Sequence, residues 1–113
     1  MRHDEVALLS EEGRGQAREL GSKLARLRAA RKLRQADAAV KAGLSRSTAA
    51  LIEAGDPRRT LAQVLRYLEA IAPHLTLLDL LQETDPSLKA LAESEVTRRV
   101  RLLSKAELQK LDF

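Results

Sequence analysis

The sequence contains no cysteine, so it forms no disulfide and offers no thiolate to a metal ion. Its aromatic side chains are limited to Tyr67 and Phe113, and tryptophan is absent. Helices built from leucine and alanine bury little area per residue, so the 113 residues give one domain with a thin core. We therefore expect two copies of the chain to associate.

Long apolar runs are also missing. None approaches the roughly 18 residues of a membrane span, and the opening residues lack the apolar segment of a signal peptide. We expect a cytoplasmic protein with no membrane partner. His3 and His74 are the two histidines, and no metal-ligand spacing surrounds them. Without a catalytic constellation or a glycine-rich phosphate loop, the sequence predicts a non-enzyme with no catalytic residue, metal or cofactor.

Charge is distributed unevenly along the chain. The segment from Arg14 to Arg66 contains 13 Lys or Arg residues and 4 Asp or Glu residues, which gives it a net charge of +9. The remainder of the chain is net acidic, although the whole carries only +4. This asymmetry is typical of a polyanion-binding segment joined to a part with other contacts, and a solvated basic helix face would give the same pattern.

Apolar residues recur at spacings of three and four through the middle of the chain, which indicates amphipathic helices. The predicted helices cover 16–30, 35–42, 46–54 and 61–72, after an N-terminal arm at 1–15. Gly43 fits the left-handed position that ends a helix, and Ser45 is a suitable N-cap for the next one. The segment 55–57 predicts a second stop, and Thr60 caps the fourth helix.

The last third of the sequence leaves more alternatives open. Residues 76–82 fit a short helix or a strand, Pro86 suits the first turn of a helix, and residues 96–103 fit a strand, a helix or a dimer arm. Ser104 and Glu107 form a capping box that predicts a helix over 105–110. The many apolar residues between Leu77 and Phe113 either complete the core of one copy or cover an interface. We assign 83–113 to dimerisation or partner binding.

Residues 20–82 resemble the helix-turn-helix domain of lambdoid phage repressors and of many bacterial regulators, the Cro/repressor-like or XRE family. The matching pattern is Leu24-x-x-Leu27-Arg28, Leu33-x-Gln35, Ala39, Gly43-Leu44-Ser45, Thr48 and Ile52-Glu53-x-Gly55, followed by Thr60-Leu61-x-x-Val64-Leu65 and Leu75-Thr76-Leu77. The chain also resembles antitoxins paired with kinase-type toxins. The resemblance implies an all-α, lambda-repressor-like five-helix DNA-binding domain at 16–82 with a C-terminal extension.

In such a domain the helix after Gly43 enters the major groove of DNA. Arg46 is the predicted base reader, because its guanidinium can bond guanine O6 and N7 together, and a simple phosphate contact is the alternative. Ser45 is grouped with Ser47 and Thr48, whose hydroxyls can reach a base edge or a phosphate.

The next turn of that helix is apolar where the family often has polar readers. Ala50 and Leu51 can touch a thymine methyl group, or they leave those base pairs unread. Sequence discrimination is therefore expected to depend on DNA shape and dimer spacing as well as on base contacts.

Further residues are implied by the resemblance to lie on the phosphate backbone. Gln35 braces the protein on DNA at the start of a helix, where the backbone N–H and the helix dipole also favour a phosphate. Arg58 and Arg59 follow in a loop over the backbone, with a solvated loop as the alternative. Arg34 occupies the usual N-cap position of Ser or Thr and is predicted to contact phosphate, and Lys32 takes the place of a glycine in the preceding linker.

The family pattern pairs a helix-1 arginine with a helix-3 glutamate, here Arg28 and Glu53, in a structural role. Two functions follow as hypotheses. The first is a homodimeric transcriptional repressor that reads an inverted-repeat operator in double-stranded DNA, with recognition helices about 34 Å apart. The second is an antitoxin that neutralises a partner toxin and represses its own operon.

Overall fold

The computed structural model describes residues 5–82 and 86–111, and every regular element in these ranges is an α-helix. The seven helices of these ranges are α1 (Glu5–Leu8), α2 (Glu11–Ala30), α3 (Gln35–Ala42), α4 (Arg46–Ala54), α5 (Leu61–Ile71), α6 (Leu77–Gln82) and α7 (Pro86–Leu111). The all-α prediction is confirmed, and the strand alternatives for 76–82 and 96–103 are wrong.

Helix α2 begins at Glu11, five residues before the predicted start at Gln16. The Ser10 hydroxyl accepts a hydrogen bond from the backbone N–H of Gly13 at 3.0 Å, and two glutamates occupy the first turn, where the helix dipole favours negative charge. Residues 11–15, which the sequence analysis placed in the arm, are thus part of the first long helix. Helix α1 precedes it as a single turn.

The ends of α3, α4 and α5 follow the local signals of the sequence. Gly43 and Gly55 adopt left-handed φ values of 67° and 77°, which end α3 and α4. The side chains of Ser45 and Thr60 cap α4 and α5, and Thr60 forms a full capping box with Gln63. These boundaries are confirmed to within one residue.

Helix α6 is short and well capped. The backbone N–H of Thr76 donates to Asp79 Oδ2 at 3.2 Å, while the backbone N–H of Asp79 donates to Thr76 Oγ1 at 3.1 Å. This reciprocal pair satisfies donors at the helix start, so the segment forms a helix instead of the alternative strand.

The core lies between α2 and the helices that follow it. Its fully buried members include small residues of α3 and α4, namely Ala38, Ala39 and Ala49, which let these two helices approach their neighbours closely. The larger buried side chains are Ile52 of α4 and, from the other helices, Leu24, Leu27, Tyr67, Leu68, Ile71, Leu80 and Leu88.

Helix α2 crosses the end of α4 in backbone contact. A Cβ atom at Gly21 would lie 2.6 Å from both the backbone nitrogen of Gly55 and the carbonyl oxygen of Ile52. Only glycine fits at this crossing, so the C-terminal end of α4 is fixed against α2.

Helix α7 is continuous over 26 residues, about 39 Å at 1.5 Å per residue. It begins at Pro86 as predicted, and residues 105–110 are helical as predicted. The pattern of Ser104 and Glu107 does not start a separate helix, because the helix runs through that turn without a break. Leu88 joins the core, but Val96 and Val100 are 57% and 56% exposed. Phe113, which the sequence analysis included in the apolar surface, lies outside the described residues.

Candidate nucleic-acid interface

Helices α3 and α4 meet at Gly43 and form the predicted helix-turn-helix. One side of α4 is buried through Ala49 and Ile52. The other side presents Arg46 and Ser47 at its first turn. The helix therefore has a packed face that fixes its position and an exposed face that starts with polar residues.

Three hydroxyl groups organise the start of α4. Ser45 Oγ accepts from the backbone N–H of Thr48 at 3.1 Å and lies 2.9 Å from Thr48 Oγ1 and 3.2 Å from Ser47 Oγ. Ser45 is thus engaged in capping, while Ser47 is exposed and Thr48 is half-buried. Of the three predicted contacts, Ser47 presents its hydroxyl most openly.

Arg46 is exposed, and it makes no hydrogen bond or ion pair with the part of the chain that the structure describes. Its five donors are available to an external acceptor. Ala50 and Leu51 are exposed on the next turn, so both apolar side chains are accessible on the surface of α4.

The two predicted DNA contacts at the start of α3, Arg34 and Gln35, have different surroundings. Arg34 is exposed, makes no side-chain cap, and forms an ion pair with Asp37 at 3.0 Å. The Gln35 side chain instead turns inward, where Nε2 donates to Glu53 Oε1 at 3.1 Å. The Gln35 side-chain amide is therefore engaged inside the protein, while its backbone N–H lies in the first turn of α3.

The Glu53 carboxylate is the centre of a buried polar network. Arg28 forms a two-pronged ion pair with it, Nε to Oε2 at 2.6 Å and Nη2 to Oε1 at 2.9 Å. The Tyr67 hydroxyl donates to Oε2 as well. Arg28 also donates through Nη1 to the carbonyl oxygen of Leu33 at 2.8 Å. The network joins α2, α4, α5 and the linker before α3, and Gln35 adds α3.

The network fixes the protonation states of its members. Burial acts to raise the pKa of Glu53, but the hydrogen bonds from Arg28 and Tyr67 outweigh it and lower the pKa below the usual value. Burial, followed by the hydrogen bond to Glu53, raises the pKa of Tyr67. The hydrogen bond to Glu53 raises the pKa of Arg28. At neutral pH the network therefore holds a carboxylate, a guanidinium and a neutral phenol.

Asp56 organises the loop between α4 and α5. Its Oδ1 accepts from the backbone N–H of Arg58 at 3.1 Å and lies 3.9 Å from Arg58 Nη1, and its Oδ2 lies 3.4 Å from Arg59 Nε. The side chain of Arg58 is 55% exposed and that of Arg59 is 24% exposed. Arg58 is therefore the more accessible of the two predicted phosphate contacts.

Sequence reasoning missed three contributors. Tyr67 was counted as an aromatic residue only, although a buried phenol needs a hydrogen-bond partner and this need signals a role. Arg66 donates through Nη2 to the carbonyl oxygen of Gly43 at 2.8 Å and braces the turn between α3 and α4. No local signal identifies Arg66, because it joins segments that are far apart in sequence. Asp56 accepts from the backbone two residues ahead, which is a local pattern typical of aspartate in turns.

A family model described as a helix-turn-helix domain matches residues 19–81, more than half of the chain. No curated protein and no solved structure matches the chain. Among residues 5–82 and 86–111, no cluster of His, Asp or Glu has the makings of a metal site, and no helix there is long and apolar enough to cross a membrane.

Proposed function

Because the chain belongs to the helix-turn-helix domain family, which suggests a DNA-binding regulator, we propose that it is a sequence-specific transcriptional repressor acting as a dimer. The observation that carries the proposal is the exposed first turn of α4, which bears an unpartnered Arg46 among the described residues and is held from behind by the Glu53 network.

In this function the first turn of α4 enters the major groove. Arg46 bonds guanine O6 and N7, and the Ser47 and Thr48 hydroxyls reach a neighbouring base edge or phosphate. Leu51 contacts a thymine methyl group. Ser45 keeps its capping role and orients the three side chains that follow it.

Sequence-independent affinity comes from the surrounding cations. Arg34, Arg58 and Arg59 lie on phosphates, and the backbone N–H of Gln35 receives another at the positive end of the α3 dipole. These contacts set the register of the protein on the duplex without reading the sequence.

Dimerisation is assigned to α7. Val96 and Val100 stand one helical turn apart on an exposed helix, and burial of such a pair against a second copy removes apolar surface from water. A two-fold dimer places two recognition helices one DNA turn apart, about 34 Å, on an inverted repeat. A Val100→Glu variant should then run as a monomer in light scattering, while wild type runs as a dimer.

The central experiment measures DNA binding by electrophoretic mobility shift, with the protein's own promoter as the DNA, across a series of salt concentrations. Arg46→Ala should weaken specific binding by about 1–3 kcal/mol, roughly 5- to 150-fold. Arg98→Ala removes the same charge from an exposed position of α7 and serves as the matched control. The proposed recognition helix is wrong if no shift occurs at low salt or if Arg46→Ala binds as well as wild type.

An antitoxin is the second candidate, and the exposed valines of α7, Val96 and Val100, are the feature that favours it. In that case the exposed valines cover a partner protein, and DNA binding serves to repress the operon. Co-expression with the product of the neighbouring gene distinguishes the two: a stable complex lost in Val100→Glu supports the antitoxin, while a homodimer without the neighbour supports the repressor.

A further inference from the structure

Helix α5 holds the turn between α3 and α4 through an exposed side chain. Arg66 Nη2 donates to the carbonyl oxygen of Gly43 at 2.8 Å. A Cβ atom at Gly43 would lie 2.9 Å from the same nitrogen, so the guanidinium lies directly over the turn. A hydrogen bond from a charged donor is directional and stronger than one between neutral groups, which makes this contact a defined link between α5 and the helix-turn-helix.

The carbonyl of Gly43 lies between the two helices of this turn. The backbone N–H groups of Gly43 and Leu44 donate to carbonyl oxygens in the last turn of α3, which completes the end of that helix. Ser45 then caps the start of α4. Arg66 therefore acts on the connection itself, between the end of one helix and the cap of the next.

The same turn also has an apolar anchor on its inner side. Leu44 is half-buried and packs against the core. Apolar contact is non-directional, so it fixes how deeply the turn lies but not the angle of the helix that follows. The hydrogen bond from Arg66 supplies a direction, and the two anchors together define the position of the turn.

Consecutive residues of α5 reach opposite ends of α4. Tyr67 is fully buried and donates to Glu53 in the last turn of α4, while Arg66 acts just before the first turn. The crossing at Gly21 also fixes the last turn. A helix of nine residues is about 13 Å long, so a tilt of about 5° around its fixed end moves the first turn by roughly 1 Å. A displacement of this size is enough to break paired hydrogen bonds between Arg46 and a base edge.

We propose that Arg66 is a positioning residue for DNA recognition: its bond to the Gly43 carbonyl sets the angle at which the first turn of α4 meets the base pairs. This role rests on the proposed function, because it requires Arg46 to read a base. Since Arg66 is exposed, its replacement leaves the buried core unchanged. The effect falls on discrimination between operator and unrelated DNA, because unrelated DNA is held through phosphate contacts that carry no sequence information.

The first measurement compares operator and unrelated DNA for Arg66→Ala in the same mobility-shift assay. Binding to operator should weaken about 5- to 30-fold, and binding to unrelated DNA by less than about twofold. Two DNAs measured on one protein sample share any loss of folded protein, so a purely structural role would leave their ratio unchanged. Arg98→Ala removes the same charge from an exposed position of α7 and should keep the wild-type ratio.

A double-mutant cycle tests whether Arg66 acts through Arg46. In an Arg46→Ala background, adding Arg66→Ala should weaken operator binding by less than about twofold, because the contact that Arg66 positions is already gone. Full additivity of the two replacements would overturn the proposal. Equal weakening on both DNAs, with a salt slope lowered by about one, would also overturn it, because a phosphate contact behaves in this way.

The same data separate this role from the proposed function. If wild type binds neither DNA, the proposed function is wrong and the positioning role is wrong with it. If wild type binds its operator and Arg66→Ala keeps the wild-type ratio, the positioning role alone is wrong.

Discussion

Helices α4 and α7 differ in how the rest of the chain holds them. Helix α4 has nine residues, and its last turn is fixed by the Gly21 crossing and by the Glu53 network. Helix α7 has 26 residues; Leu88 near its start joins the core, and Glu95 forms an ion pair with Arg26 of α2. The short helix is positioned from several directions, whereas Leu88 and Glu95, the described contacts of the long one, both lie in its first half.

This difference separates two kinds of function. A helix that reads base edges has to place donors to within a fraction of an ångström, which requires support from rigid neighbours. A helix that pairs with another protein chain needs exposed apolar surface instead, and α7 keeps such surface at Val96 and Val100.

The sharpest test of this difference compares how much stability is lost when one glutamate of each helix, Glu53 of α4 or Glu95 of α7, is replaced. The Glu53 side chain is 8% exposed and the Glu95 side chain 36%. Glu53→Ala leaves Arg28 partly buried without its partner and should lower the free energy of unfolding by about 3–5 kcal/mol. Glu95→Ala breaks an ion pair at the surface and should cost about 0.2–1 kcal/mol. Urea unfolding of both variants checks this, and similar losses would refute the distinction.

A second test concerns the crossing that positions α4. Gly21→Ala places a methyl group 2.6 Å from backbone atoms of Ile52 and Gly55, which cannot rotate away, and should cost about 3 kcal/mol. Gly15→Ala on the same helix meets ordinary contact at 3.8 Å and should stabilise the protein by about 0.5–1 kcal/mol through helix propensity. In thermal unfolding, the melting temperature should therefore fall for Gly21→Ala and rise for Gly15→Ala. If both variants gain stability, α2 and α4 are not in backbone contact.

The sequence predicts well the features that depend on neighbouring residues, and less well those that depend on contacts between distant segments. The ends of α3, α4 and α5 are set by residues within a few positions, such as Gly43, Ser45 and Thr60, so local chemistry predicts them. The start of α2 also had a local signal in Ser10, which the glycines at 13 and 15 obscured.

Non-local features were harder to predict. Imperfect alternation after Val96 suggested several structures, yet no breaker interrupts the segment and it continues as one helix. The Arg28–Glu53 contact was available only through the family pattern. The participation of Tyr67 and the inward turn of Gln35 depend on how four helices meet, which no spacing within one helix encodes.

The pH dependence of stability tests the Tyr67 anchor of α4. The pKa of Tyr67 is raised in the folded state, so its contribution is fully present below the unfolded value near 10 and is lost as the pH rises above it. Tyr67→Phe should cost about 2 kcal/mol at pH 7, where a hydrogen bond to a charged group is removed. The cost should shrink above pH 10, because wild type alone loses this contribution. Tyr67 is the single tyrosine, so no other phenol titrates in this range. A cost of Tyr67→Phe that stays constant from pH 8 to 11 would contradict the hydrogen bond from Tyr67 to Glu53.

The smallest expected effect lies in the linker that leads into α3. Lys32 adopts a left-handed φ of 58°, a conformation that disfavours residues with a Cβ atom. Lys32→Gly should relieve this cost and raise the free energy of unfolding by about 0.5–1 kcal/mol. Lys32→Ala removes the same charge without relieving the backbone, so it should give no such gain. Both variants should weaken DNA binding alike if Lys32 contributes only charge. A larger loss of DNA affinity in Lys32→Gly than in Lys32→Ala would show instead that the strained linker helps to position α3.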